Sequence, residues 1–186
     1  MRAWLNDRRE RRQTARSFYG SIVAQARVPT FYAEWGVPDT LQGRFELVAL
    51  HLAVALRRLA AEGPKGRPLA QALTEAFATD MDDAMRELTF GDLAVPREVR
   101  RAAAALYDRH RAYGEALDRA DMAKLAAAIG AQMAYLGAAG LDTERLAHYV
   151  RGAAAAHEAQ PAAEVLAGRL AWPQPAPGQR IARRPE

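Results

Sequence analysis

The chain contains no cysteine. Disulfides, thiolate metal centres and a cysteine nucleophile are therefore excluded, and a reducing compartment fits. No apolar run comes near the ~20 residues that a bilayer-spanning helix needs. Charges interrupt the first residues before an apolar stretch forms, so no secretory signal is expected there. Alternation at period two is missing and β-branched residues are scattered, which leaves no convincing strand. A Gly-rich phosphate loop between strand and helix has nowhere to form. Serine is scarce: Ser17 and Ser21 stand in a helical stretch, without the sharp elbow of a serine nucleophile.

What remains is helix. The 186 residues are 50% hydrophobic and 26% charged, enough for one core, and alanine, a strong helix former, dominates the apolar share. The expected fold is all-α, one compact domain of about seven or eight helices. Ala15, Phe18, Tyr19, Ile22, Val23 and Ala26 share one face of a helix over 12–27. Pro29 opens a short helix that carries Phe31, Tyr32 and Trp35, and Gly36 closes it. Asp39 reads as the cap of the next helix, with Gln42 as its reciprocal partner. Longer helices follow over 68–89, from Pro96, from Asp121 and after "GAAGLDTER", with a last one opened by Pro161. The proline-rich stretch from Pro173 reads as a disordered tail. The expected organisation is a basic arm over 1–11, a helical domain over 12–172 and a tail over 173–186.

Charge is unevenly spread. Residues 1–27 carry seven arginines against Asp7 and Glu10, and the tail from Arg180 carries three against Glu186. With a total of +4, the middle is left at −3. A basic arm fits an anionic surface, RNA or lipid headgroups. It fits a solvated helix end equally well.

The stretch "FATDMDDAMRELTFGD", 77–92, concentrates the acids. At about 100° per residue, Leu69, Leu73, Ala76, Phe77, Met81, Ala84 and Leu88 form an apolar stripe. Asp80, Asp83 and Glu87 line its border, and Asp82 faces Arg86 at i+4. Helical prenyl transferases hold magnesium with Asp-Asp-x-x-Asp. Here Asp82 and Asp83 are followed by Ala84, Met85 and Arg86, so a cation stands where the third acid is needed. A calcium loop needs a glycine turn that a helix cannot supply. A di-iron bundle needs Glu-x-x-His, and Glu144–His148 and Glu46–His51 have the wrong spacing. No metal and no cofactor is expected. A carboxylate beside a core needs a cation or hydrogen bonds. Arg97, Arg100, Arg101 and Arg44 are the expected partners of Asp80 and Asp83. His51 sits among Leu47, Val48 and Leu50 and reads as a hydrogen-bonded core residue. Three aromatics on so short a helix suggest that part of that cluster is exposed to a partner.

Three blocks read together resemble a known family. They are "QARVPTFYAEWGVPDTLQGRFELVALHLAVALRRL" over 25–59, "DMDDAMRELTFGDLAVPREVRR" over 80–101 and "LYDRHRAYGEAL" over 106–117. In this order they resemble the ubiquinol–cytochrome c chaperones, assembly factors of respiratory complex III. The resemblance implies an all-helical chaperone without catalytic activity. Its implied client is newly made cytochrome b or an early assembly intermediate. The alanine- and arginine-rich composition looks bacterial and shows no clear transit peptide, so the expected setting is cytoplasmic, peripheral at the inner face of a bacterial inner membrane, with the ribosome or an anionic membrane as partner of the basic arm and no role for DNA. Phe31, Tyr32, Trp35, Arg44, His51, Asp80, Asp83 and Asp92 are the expected docking or partner residues. Two other readings remain: an isoprenoid-type diphosphate-binding enzyme, and a general ribosome- or lipid-binding module.

Overall fold

The structure, a computed structural model, describes residues 2–87 and 95–176, with side chains from residue 6 onward. Eight α-helices and two single 3-10 turns make up its regular structure, and no strand occurs among the described residues. Asp92 and Leu88 lie outside the described residues. No helix among the described residues is long and apolar enough to cross a membrane.

Helix α1 spans Arg2–Ala26. It starts well before residue 12 because the arginine-rich segment consists largely of good helix formers. Ala15, Phe18, Tyr19, Ile22 and Ala26 are buried at the expected helical spacing. Helix α2, Pro29–Ala33, has proline in its first turn, where the missing N–H costs nothing. Helix α3, Leu41–Ala61, is the centre of the molecule. Its residues 46 to 55 are all buried, so it is covered on every side. Helices α1, α4, α5, α7 and α8 all pack on it.

The cap of α3 is Thr40, whose hydroxyl accepts from the Gly43 N–H at 3.2 Å. Asp39, the expected cap, instead accepts from Arg44 Nε at 2.7 Å. A side chain one residue too early cannot reach the open N–H groups as well as Thr40 can.

Helix α4, Arg67–Glu87, buries only Leu69, Ala72, Leu73 and Phe77, all in its first half. Helix α5, Val95–Asp118, buries Ala102, Leu106, Arg109, Tyr113 and Ala116 in a three-and-four rhythm. Helix α6, Met122–Met133, begins where the sequence predicts, at Asp121, which caps it; the Asp121 carboxylate accepts from the Lys124 N–H at 2.9 Å. A 3-10 turn over Ala134–Leu136 follows. Helix α7, Thr143–Ala159, is capped by Asp142. Helix α8, Ala162–Leu166, ends before Leu170. The chain then runs irregularly, but it stays on the body past Pro173. The Pro173 carbonyl accepts from Gln25 Nε2 at 3.2 Å, and Pro175 is buried.

The loops before α3 and α7 are pinned to each other. The Asp142 N–H donates to the Trp35 carbonyl at 2.9 Å. Gly36 has φ +75°, and a Cβ there would lie 2.0 Å from the Gly140 carbonyl oxygen. Both the backbone conformation and the close approach demand glycine. A Gly36→Ala variant is expected to lose roughly 2 kcal/mol or more of unfolding free energy. Urea denaturation checks this; an unchanged midpoint would mean that the two loops are not locked.

Candidate functional site

Two buried polar networks hold the central helix. The first is built on Glu46, which has no exposed surface. Arg109 of α5 meets its carboxylate with two N–H groups; the Nε–Oε2 distance is 2.8 Å, and Nη2 donates to Oε1. The Tyr135 hydroxyl donates to the same carboxylate at 2.8 Å. Arg109 also donates to the Ala105 carbonyl at 2.8 Å, and its guanidinium lies 5.5 Å from the centre of the Phe45 ring. The planar fork satisfies both carboxylate oxygens, which is what makes burial of the pair tolerable.

The second network runs through His51. Its Nδ1–H donates to the Leu47 carbonyl at 2.7 Å, which leaves Nε2 to accept the Tyr149 hydroxyl proton at 2.8 Å. Gln25 Nε2 donates to that hydroxyl at 3.0 Å. One chain of bonds thus ties α1, α3 and α7. Phe31 packs edge-on against Trp35, His51 and Tyr149 at 5.0–5.5 Å between ring centres. Trp172 packs edge-on against both His51 and His157. Burial pulls His51 down to about 4, with the bond to Leu47 opposing it. Burial pulls His157 to about 4 as well.

The expected site residues distribute as follows. Phe31 and Trp35 are buried, and Tyr32 is half-buried with its hydroxyl donating to the Ala26 carbonyl at 2.8 Å. The rings plug the space between α3 and α7, so only Tyr32 keeps an accessible edge. His51 is the core histidine that the sequence implies. Of the four arginine partners expected for Asp80 and Asp83, three are otherwise engaged. Arg97 and Arg101 bind Glu98, and Arg44 binds Asp39. Asp80 instead accepts from the Tyr19 hydroxyl at 2.7 Å, which fastens α4 to α1. Burial, aided by this bond, pushes the Tyr19 phenol far above its ordinary range. Asp83 is exposed. Asp82 and Arg86 form the expected i,i+4 pair at 2.6 Å. That bond places a guanidinium on the carboxylate a magnesium ion would need.

At the surface, α3 and α5 leave an open groove of about 680 Å³. Ala60, Ala61 and Gly114 form its small-residue lining, and Tyr107, 66% exposed, stands at its edge. Arg57 bridges Asp118 and Glu158 across the rim at 2.8 and 2.7 Å.

A family model described as ubiquinol-cytochrome C chaperone matches residues 33–172. The chain belongs to the ubiquinol-cytochrome C chaperone family. Its fold is shared by the Cbp3 homolog from Brucella abortus, known from a crystal structure. The two are 32% identical, the match covers 93% of this chain and 96% of that one, and the TM-score is 0.82. No curated protein matches the chain. The matched span of this chaperone contains Glu46, Arg109, Tyr135 and the groove.

Glu46 and Arg109 were not among the expected site residues, yet their signal is present. Glu46 is an acid inside an apolar run, and Arg109 falls on the buried rhythm of α5 between Leu106 and Tyr113. Each is anomalous alone and complementary to the other.

Two predictions follow from the networks. Glu46→Ala or Arg109→Ala alone is expected to cost about 3–5 kcal/mol of unfolding free energy, because one buried charge is stranded. A Glu46→Leu/Arg109→Met double variant is expected to lose less than either single one; equal or greater loss would refute the stranded-charge explanation. The second prediction concerns pH. Both buried histidines titrate below the ordinary 6.5 in the folded chain. As pH falls, the unfolded chain takes up protons first. Stability is therefore complete above about 6.5, falls between 6.5 and 4, and levels off below. Roughly 2 kcal/mol per histidine is expected to be lost by about pH 5. In urea titrations, a His157→Phe variant should show about half of that slope.

Proposed function

We propose that this chaperone holds newly made cytochrome b, or its early assembly intermediate, during assembly of the cytochrome bc complex. The work is done at the inner face of a bacterial inner membrane, with an anionic partner for the basic N-terminal end. The observation that carries the reading is the α3–α5 groove within the family-matched span. Newly made cytochrome b presents apolar helices. Small residues let a helix backbone come close, and an amphipathic ring at the edge supplies contact area at little entropic cost. Ala60, Ala61, Gly114 and Tyr107 provide both. The groove's size suits one or two large anchoring side chains. The charged rim keeps the empty groove compatible with water.

The experiment is affinity capture of the tagged protein from growing membranes under mild extraction. Cytochrome b should co-purify. Tyr107→Glu and Gly114→Arg should each reduce its recovery about tenfold or more. Neither should move the melting temperature, since Tyr107 is exposed and a Cβ at Gly114 meets nothing within 4 Å. Full recovery with both variants would move the client elsewhere. No cytochrome b with the unaltered protein would refute the client itself.

A further inference from the structure

The first half of α1 carries a cationic face that the two buried networks do not use. Arg8, Arg9, Arg12 and Arg16 are exposed and fall within an arc of about 100° around the helix. They extend about 12 Å along its axis. Arg9, Arg12 and Arg16 have no carboxylate within ion-pairing distance among the described residues. Arg57, Arg58, Arg109, Arg145 and Arg169 contrast with them, each being held by an acid. The nearby acid Asp7 is taken by Arg11. Together with Gln13, the four arginines line a hollow of about 420 Å³, and Arg12 and Arg16 continue into a second of about 230 Å³ against Ala72, Glu75, Ala76 and Thr79 of α4. Both hollows can admit a phosphate group between guanidinium side chains.

We infer that this face is a docking surface for the phosphate headgroups of an anionic lipid bilayer, which Arg8, Arg9, Arg12 and Arg16 engage together. The inference rests on the membrane-side placement proposed above and names the partner of the basic end. Two observations favour lipid over RNA. The face is a short straight patch of one sign on a single helix, which a flat headgroup layer can meet along its whole length. Residues 8–16 contain no aromatic, whereas single-stranded RNA needs stacking platforms beside the cations.

The test uses the full chain and vesicle flotation. Vesicles of phosphatidylcholine with phosphatidylglycerol should carry the protein upward, and vesicles of phosphatidylcholine alone should not. Binding should weaken as salt rises. Removing charge one arginine at a time should weaken it about fivefold each, so that Arg8→Gln, Arg9→Gln, Arg12→Gln and Arg16→Gln combined abolish flotation. The same four positions changed to lysine should retain it, which separates charge from loss of fold. Equal flotation of the glutamine variant, or none of the unaltered protein, overturns the inference. So does binding to a single-stranded RNA homopolymer that the glutamine variant loses while vesicles are ignored; that result assigns the face to RNA. Cytochrome b capture in detergent is scored in parallel. Lost flotation with retained capture sinks only the lipid face, and the reverse sinks only the client.

Discussion

A fully buried carboxylate on the central helix sets the terms for everything around it. Glu46 cannot stay charged in an apolar interior without a cation at hydrogen-bond distance. Only one register of α5 against α3 brings the Arg109 fork to it, with Tyr135 closing from the far end of α6. Arg109 in turn binds the Ala105 carbonyl and lies against Phe45. The two walls of the surface groove are these same two helices. Its width and the position of Tyr107 are therefore consequences of an ion pair that the groove does not contain.

The His51 network completes the clamp from another direction. Glu46 and His51 are five positions apart, which places them about 140° apart around α3. One anchors the helix toward α5 and α6, the other toward α1 and α7. The polar groups differ in kind. The first is a charge pair that specifies one alignment. The second is a neutral chain surrounded by Phe31, Trp35, Tyr149 and Trp172, where orientation comes from edge-to-face ring packing. Short α2 carries so many aromatics because it is a plug for this space. The segment after α8 closes over it, with Trp172 between His51 and His157.

Local features were legible in the sequence because they act over a turn or two. Helical periodicity located the helices, with the start of α6 at Asp121, and Asp82 paired with Arg86. The cap of α3 was misplaced by one residue because Asp39 and Thr40 are both good capping types. Thr40 stands one residue nearer the open N–H groups, and Arg44 holds Asp39 away from them. Contacts between distant segments were less visible. Tyr19 and Asp80 stand 61 residues apart, and Glu46 and Arg109 stand 63 apart. Periodicity shows that an acid lies on a buried face; it does not show which helix will bring the answering group. For Asp80 the nearest arginines in sequence were the obvious choice, and a phenol from α1 was the actual partner. The three family-like blocks carried the functional assignment, since the groove is assembled from α3 and α5, with Glu158 of α7 at its rim, and is continuous in none of them.

A helical scaffold held by two buried polar networks and carrying a small-residue groove fits the proposed brief hold on an apolar client. The clamp removes flexibility from the interior, so the groove needs no folding step before it binds. The measurement that tests this most directly places a photo-crosslinking residue at position 107 in cells making cytochrome b. A crosslink from position 107 to cytochrome b is expected, with none from a control position on the exposed face of α4, such as 83. Crosslinks from 83 and none from 107 would contradict it.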